Sequence, residues 1–172
     1  EDESLDNDPY YRRSTDNGNT WSTRARIHSS PAFSRQVHVA FDNNNKAHAV
    51  WTEGNNEVWY GSQDVWASNG SEMLFAGDVL VASPKIAVDG NNNLHLVWTA
   101  INFDGENVFY SRSTDGGVSW SPAFNVSNSA NNSSGSSESP AIAIDSNNRP
   151  NVVWEEQVGG SEYKINFSRR AP

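Results

Sequence analysis

Apolar residues in this chain occur in short runs separated by clusters of Asn, Asp, Gly and Ser. Three paired runs align without gaps: Val39-Ala40-Phe41-Asp42 through Val50-Trp51, Ile86-Ala87-Val88-Asp89 through Val97-Trp98, and Ile142-Ala143-Ile144-Asp145 through Val153-Trp154. In each, the Asp precedes the Trp by nine residues. The intervening Asn43-Asn44-Asn45, Gly90-Asn91-Asn92-Asn93 and Ser146-Asn147-Asn148 tolerate positive φ and cap their own turns, so each pair of runs predicts a β-hairpin. Runs such as Leu94-His95-Leu96-Val97-Trp98 are apolar at nearly every position, which requires a sheet covered on both faces.

A third strand is expected around Val58-Trp59-Tyr60, Val108-Phe109-Tyr110 and Tyr163-Lys164-Ile165-Asn166-Phe167. A fourth is expected around Asp78-Val79-Leu80-Val81 and Ala123-Phe124-Asn125-Val126. Four strands per roughly 50-residue repeat make the unit of a propeller blade, so the fold class is all-β, a β-propeller of four-stranded blades with three blades in the chain. Asp42, Asp89 and Asp145 stand 47 and 56 residues apart, and the extra length falls in the polar segment Ser127 to Ser139, read as a surface loop. The expected organisation is one half-propeller domain over 1–172: a closing hairpin over 1–34, blades over 35–83 and 84–138, and an incomplete blade over 139–172.

Two segments read Ser-x-Asp-x-Gly-x-x-Trp: Ser14-Thr15-Asp16-Asn17-Gly18-Asn19-Thr20-Trp21 and Ser113-Thr114-Asp115-Gly116-Gly117-Val118-Ser119-Trp120. A degenerate copy stands at Ser62-Gln63-Asp64-Val65-Trp66. With these motifs in register, the chain resembles the sialidase-like Asp-box propellers, also called bacterial neuraminidase repeat proteins. The box reads as a turn device, with Ser14, Asp16, Gly18 and Trp21, and Ser113, Asp115, Gly117 and Trp120, in structural roles. A Ca²⁺ loop is the alternative for these aspartates, but no second acidic ligand follows at a regular offset. No metal and no cofactor is expected.

The resemblance implies that ligands engage the rim opposite the Asp boxes, and an extracellular or cell-surface location. Candidate ligand contacts on that rim are Arg35, His38, Glu53, Lys85, Asp104, Glu106, Glu155, Glu156 and Trp59, with Trp59 and Trp66 read as non-repeated sugar-stacking positions. Sialidases of this family clamp the substrate carboxylate with three arginines, the first in an Arg-Ile-Pro context. Here Arg26-Ile27 is followed by His28, and Arg12, Arg13, Arg112, Arg169 and Arg170 fall at the junctions leading into the boxes, so no catalytic residue is carried over. His48 and His95 share one repeat position with Asn151 and read as hydrogen-bonded core residues. Trp51, Trp98 and Trp154 read as packing between blades.

Charge narrows the partners. A net charge of −9 argues against nucleic acid and anionic membrane surfaces, which require clustered Lys and Arg. The absence of Cys leaves redox compartment unread. No apolar segment approaches the length of a signal or membrane helix, and the acidic stretch from Glu1 to Asp8 reads as soluble, trimmed chain.

The last repeat lacks a fourth strand, while the N-terminal segment supplies a box and a fourth strand. Two chains exchanging these ends would close a six-bladed ring, so a homodimer is expected; a fragment of a longer single-chain propeller is the competing expectation. The expected function is a non-catalytic module binding a glycan or other surface ligand on the rim opposite the boxes. The alternatives are an exo-sialidase or other glycoside hydrolase acting through rim carboxylates, and a structural repeat with no ligand of its own.

Overall fold

The computed structural model describes residues 8–66, 70–76, 80–102, 105–127, 136–159 and 162–169. β1 (Tyr10–Tyr11) and β2 (Ala25–Arg26) form a two-stranded hairpin sheet. The first sheet is a meander of β3 (Ser34–Phe41), β4 (Ala47–Glu53), β5 (Glu57–Ser62) and β6 (Glu72–Ala76). The second contains β7 (Leu80–Val88), β8 (Leu94–Asn102), β9 (Gly105–Ser113) and β10 (Phe124–Asn125). The third contains β11 (Ser137–Ile144), β12 (Pro150–Gly159) and β13 (Glu162–Arg169). All pairings are antiparallel, and the first strands lie side by side, β3 against β7 and β7 against β11, so the sheets fan out from a common line.

Register superposes the repeats. Val50 stands opposite Tyr60, Val97 opposite Tyr110, and Val153 opposite Phe167. One expected strand is displaced: the fourth strand of the first sheet is Glu72–Ala76, and Leu80-Val81 instead open β7, pairing with Ile101 and Ala100. The cause is a bulge. Each first strand carries one non-glycine residue of positive φ, Gln36 (55°), Ser83 (54°) and Ser139 (52°), where the register shifts, so the strand continues upstream of what pattern alone suggests. For the same reason Ser137 and Glu138 pair within the third sheet, with Glu156 and Glu155.

The hairpin turns are built three times over. Asp42 Oδ1 accepts the N–H groups of Asn44 and Lys46 at 2.9 and 2.8 Å. Asp89 Oδ1 accepts those of Asn91 and Asn93, and Asp145 Oδ1 those of Asn147 and Arg149. Asn45, Asn92 and Asn148 take the left-handed position at φ near 60°, which Asn tolerates better than other non-glycine residues. The turns also join the sheets: Asn43 N–H donates to Asn92 Oδ1 and Gly90 N–H to Asn148 Oδ1, at 2.9 and 2.8 Å.

The core lies between sheets, not within one. Trp51, Trp98 and Trp154, each on a second strand, are buried against the preceding sheet. Ile27 lies in the cluster of Trp51, Phe75 stacks on Trp98 at 4.5 Å, and Val126 packs beside Trp154. Burying each large apolar side chain contributes about 1.5–3 kcal/mol, so the junctions hold the sheets together. On the other face, His48 and His95 bridge Tyr60 and Tyr110 at 2.8 Å to the turn carboxylates of Asp42 and Asp89. Burial lowers the pKa of His48, against the opposing pull of Asp42. In the third sheet His is Asn151 and Tyr is Phe167, so these two members of the bridge are replaced together while the turn Asp145 is kept.

The two box turns are superposable in their hydrogen bonds. Asp16 Oδ1 accepts from Ser14 Oγ and Thr20 N, and Asp115 Oδ1 from Ser113 Oγ and Ser119 N. Ser14 Oγ and Ser113 Oγ accept the N–H groups of Gly18 and Gly117, whose φ values are 86° and 96°. Trp120 then lies edge-on to Tyr60 of the first sheet at 5.4 Å and donates to Gly117 O. Tyr60 in turn donates to Gly116 O at 2.9 Å, so this box is clamped onto the neighbouring sheet. Trp66, at the end of the degenerate box, packs the same way on Tyr11 at 4.8 Å and is buried, which corrects its reading as a sugar-stacking residue. Trp21, expected to cover its hairpin base, is 60 % exposed because no sheet precedes the hairpin among the described residues.

Two outcomes follow. A Cβ on Gly117 would come within 2.3 Å of the Tyr60 ring, whereas one on Gly18 meets nothing within 4 Å. Gly18→Ala should therefore cost about 1–2 kcal/mol of left-handed strain alone, and Gly117→Ala about 3 kcal/mol or more with the overpacking cost added, measured by urea denaturation; equal costs would refute the clamp. The Asp16 and Asp115 carboxyls are held at about 2, below an ordinary 3.8, chiefly by the Thr20 and Ser119 hydroxyls, then by the N–H groups of those residues. A folded pKa below the unfolded one stabilises above pH 3.8 and loses that contribution as pH falls through about 2. The acid limb of stability over that window should flatten in the Asp16→Asn, Asp115→Asn double variant.

Candidate functional site

Strand direction alternates within each sheet, so the Asp turns and the box turns share one rim. The opposite rim collects the loops between second and third strands and the sheet-to-sheet crossovers. Two clusters of polar and aromatic side chains form there.

The first lies where the hairpin sheet meets the first sheet. His28, on the crossover after β2, stacks on Trp59 at 4.6 Å and Trp51 at 5.6 Å, and the two indoles are 6.4 Å apart. Glu53 closes β4 and is 1 % exposed. Its Oε2 accepts from Trp51 Nε1 at 3.0 Å and Ser34 Oγ at 2.6 Å, while Oε1 finds no hydrogen-bond partner among the described residues. His28 Nδ1 is buried in the same condition. A desolvated carboxylate oxygen without a donor is costly, so this corner carries unsatisfied hydrogen-bonding capacity of a kind that ligand sites use. Trp59 Nε1 donates to Glu57 Oε2 at 2.8 Å, which fixes the half-buried ring at the rim.

The second cluster lies between the second and third sheets. Glu138 pairs across strands with Glu155, and Glu106 Oε2 accepts from Ser136 Oγ beside them. Burial raises the Glu138 pKa above the usual carboxyl range, with the charges of Glu106 and Glu155 adding to it. Glu156 is tied to Asn166 Nδ2. Among the described residues, no three His, Cys, Asp or Glu side chains are arranged to hold a metal ion.

This arrangement of sheets is similar to that of several solved carbohydrate-directed proteins, at low sequence identity. The α-L-arabinanase of Penicillium chrysogenum, complexed with arabinobiose, superposes with a TM-score of 0.61 at 13 % identity, over 94 % of this chain and 53 % of that one. A PL25 ulvan lyase bound to a glucuronate–rhamnose-sulfate unit gives 0.59 at 11 % identity, over 95 % and 50 %. The K499G mutant of the NanB sialidase of Streptococcus pneumoniae gives 0.55 at 12 % identity, over 87 % and 24 %. The fold is that of a β-propeller. The chain spans about half the length of the first two. No protein-family profile matches it, and no curated protein sequence does.

The propeller distributes the expected rim residues unevenly. Glu53 and Trp59 come together, as do Glu106 and Glu155, and Glu156 lies one residue from Glu155. His38 and Lys85 occupy equivalent first-strand positions, opposite Val50 and Val97, and are near enough for the Lys85 charge to add to burial in lowering the His38 pKa. His38 Nδ1 accepts from Ile86 N–H at 3.3 Å. Arg35 is exposed, with its guanidinium carbon 5.8 Å from the Phe33 ring. Asp104 lies outside the described residues. Trp59 is not unique to its repeat: Trp51 faces Trp59 as Trp98 faces Phe109, so the position is a shared aromatic one. His28, Ser34, Glu57 and Glu138 were not singled out by sequence. Glu138 sits next to the first-strand bulge, and the repeated register shift was the signal that could have located it.

If Glu106 and Glu155 raise the Glu138 pKa, Glu106→Gln should lower it toward the ordinary glutamate range, read from the side-chain carboxyl resonance in a pH titration. An unshifted titration would mean that Glu106 adds nothing and that burial and Glu155 set it.

Proposed function

We propose that this propeller binds carbohydrate on the rim opposite its box turns and does not turn it over. The observation that carries this reading is the first rim cluster, where the half-buried Trp59 ring is held at the rim by Glu57 and packed on His28 above the buried Trp51 and Glu53. An aromatic face offers an apolar platform for a sugar ring, and the half-buried Trp59, held by its hydrogen bond to Glu57, offers one at this rim. The structural neighbours, an arabinanase, an ulvan lyase and a sialidase, point the same way. The acidic rim and the net charge of −9 favour a neutral sugar over an anionic one. Within this reading the chain is an Asp-box propeller segment of three blades, with the third sheet as the incomplete one.

A second reading, glycoside hydrolysis, draws on the second cluster. Hydrolysis of this kind needs carboxyl groups set close together with one pKa raised, and Glu138, its pKa raised by burial and by the neighbouring Glu106 and Glu155, has that character.

Calorimetry with arabino-oligosaccharides and neutral hexose oligomers, alongside a glycan array and a reducing-sugar assay, separates the readings. Binding without sugar release is expected, and Trp59→Ala should weaken it on the order of tenfold, the size of a lost aromatic platform. Release of reducing sugar abolished by Glu138→Gln would install the hydrolase reading instead. Silence in every assay would leave a structural repeat without its own ligand.

A further inference from the structure

The junction between the hairpin sheet and the first sheet differs from the one after it, and the difference leaves a cleft. In the second sheet Ser113 stands opposite Leu94 and opens a full box, whose Gly116 O accepts from Tyr60 and whose Trp120 packs on that ring. In the first sheet Gln63 holds the place of Ser113: its N–H donates to Ala47 O at 2.9 Å, and its Oε1 accepts from Ala47 N–H at 3.3 Å. Trp66 follows Gln63 by three positions, where Trp120 follows Ser113 by seven, so the segment that covers Tyr60 is shorter beside Tyr11. A cleft of about 740 Å³ remains there, against about 240 Å³ at the next junction. β1 and β2 hold the places of a third and a fourth strand, so any further strand of that sheet pairs at the free edge of β1. The cleft instead is lined mostly from β2 and its flanks, Ser22 to Ser29.

The lining is basic in an acidic protein. Arg13 and Arg26 belong to it and no Asp or Glu does, although the chain carries a net charge of −9. Arg26 is committed: its Nε meets Asp8 Oδ2 at 3.3 Å, and its Nη1 donates to Ser29 Oγ at 3.0 Å. Arg13 has no carboxylate partner among the described residues. Its guanidinium carbon lies 5.9 Å from the Phe41 ring, a contact that takes up none of its N–H donors. Gln63 keeps its Oε1 on Ala47, so the group it has left for a ligand is its NH2. Arg13 and Gln63 therefore offer N–H donors and one positive charge, which select an oxyanion, and the planar fork of arginine fits a carboxylate with two parallel bonds. Tyr11, backed by the buried Trp66, and its cross-strand partner Ala25 supply an apolar part, and the exposed Thr23 adds a hydroxyl. A simple inorganic anion would leave most of such a cleft empty, whereas one or more sugar rings fill it.

We propose that this outer cleft is a second carbohydrate site, for a saccharide that carries a uronate carboxylate. Arg13 holds the carboxylate, Gln63 donates to the same end of the ring, and Tyr11 and Ala25 lie against its apolar edge. The site is distinct from the Trp59 corner, whose neighbours are the acids Glu53 and Glu57, and it stands whether or not that corner binds sugar. The two meet only at His28, which stacks on Trp59 and lines the cleft.

The test titrates the 172-residue chain with oligogalacturonate, oligoglucuronate, a neutral galactose oligomer and sulfate, by calorimetry and by NMR. A uronate oligomer should bind, lose affinity as salt rises, and shift the side-chain NH2 resonances of Gln63. The neutral oligomer and sulfate should each bind about tenfold or more weakly. Arg13→Gln removes the charge, and Gln63→Glu keeps the acceptor for Ala47 N–H while turning the free donor into a carboxylate. Each should weaken uronate binding about tenfold or more with the circular dichroism unchanged, whereas Trp59→Ala should leave it within about twofold, as expected of separate sites. Should one of the cleft variants lose its fold, the other carries the test. The proposal is overturned if neither uronate binds, if the neutral oligomer or sulfate binds as well, or if uronate binding survives a folded cleft variant. Loss of uronate binding in Trp59→Ala alone also overturns it, because the ligand then sits on the rim.

Discussion

Each tryptophan on a second strand, Trp51, Trp98 and Trp154, is buried only because the sheet before it supplies a cover, Ile27, Phe75 or Val126 in turn. A sheet of this kind cannot keep both faces dry alone, so sheets are stable in series and the series wants no free end. Most other features serve that stacking. The Asn-rich turns hydrogen-bond sheet to sheet, the box turns put a tryptophan on the neighbouring tyrosine, and the histidine bridges brace that tyrosine from behind.

That dependence explains what could be read from sequence. The Asp-to-Trp spacing and the box motifs fix chemistry local to a turn, so hairpins, boxes and inter-sheet tryptophans could all be placed. The fourth strand of the first sheet was misplaced because its neighbour, β7, runs through a bulge at Ser83 next to Pro84, where alternation breaks and a strand reads as two. Trp66 was misread for a similar reason. Its box lacks the spacing of the other two, and only the contact with Tyr11 reveals that it does the work of Trp120.

The rim was less legible than the frame. Glu53 and Trp59 could be nominated because they sit at strand ends, but their partner His28 comes from a crossover with no motif, and Ser34 from a strand start. Glu106, Glu138 and Glu155 lie on three strands of two different sheets, and their shared electrostatics appear only once the sheets pack. Residues that meet across a junction carry no common spacing in the chain.

Both rim clusters therefore sit at junctions, one between the hairpin sheet and the first sheet, the other between the second and third. In a fold whose junctions are repeated, the environment of a rim side chain depends on which sheet stands beside it. The first cluster is the more exposed to this effect, because His28 reaches it from the chain segment that follows β2, a strand held by only two residue pairs.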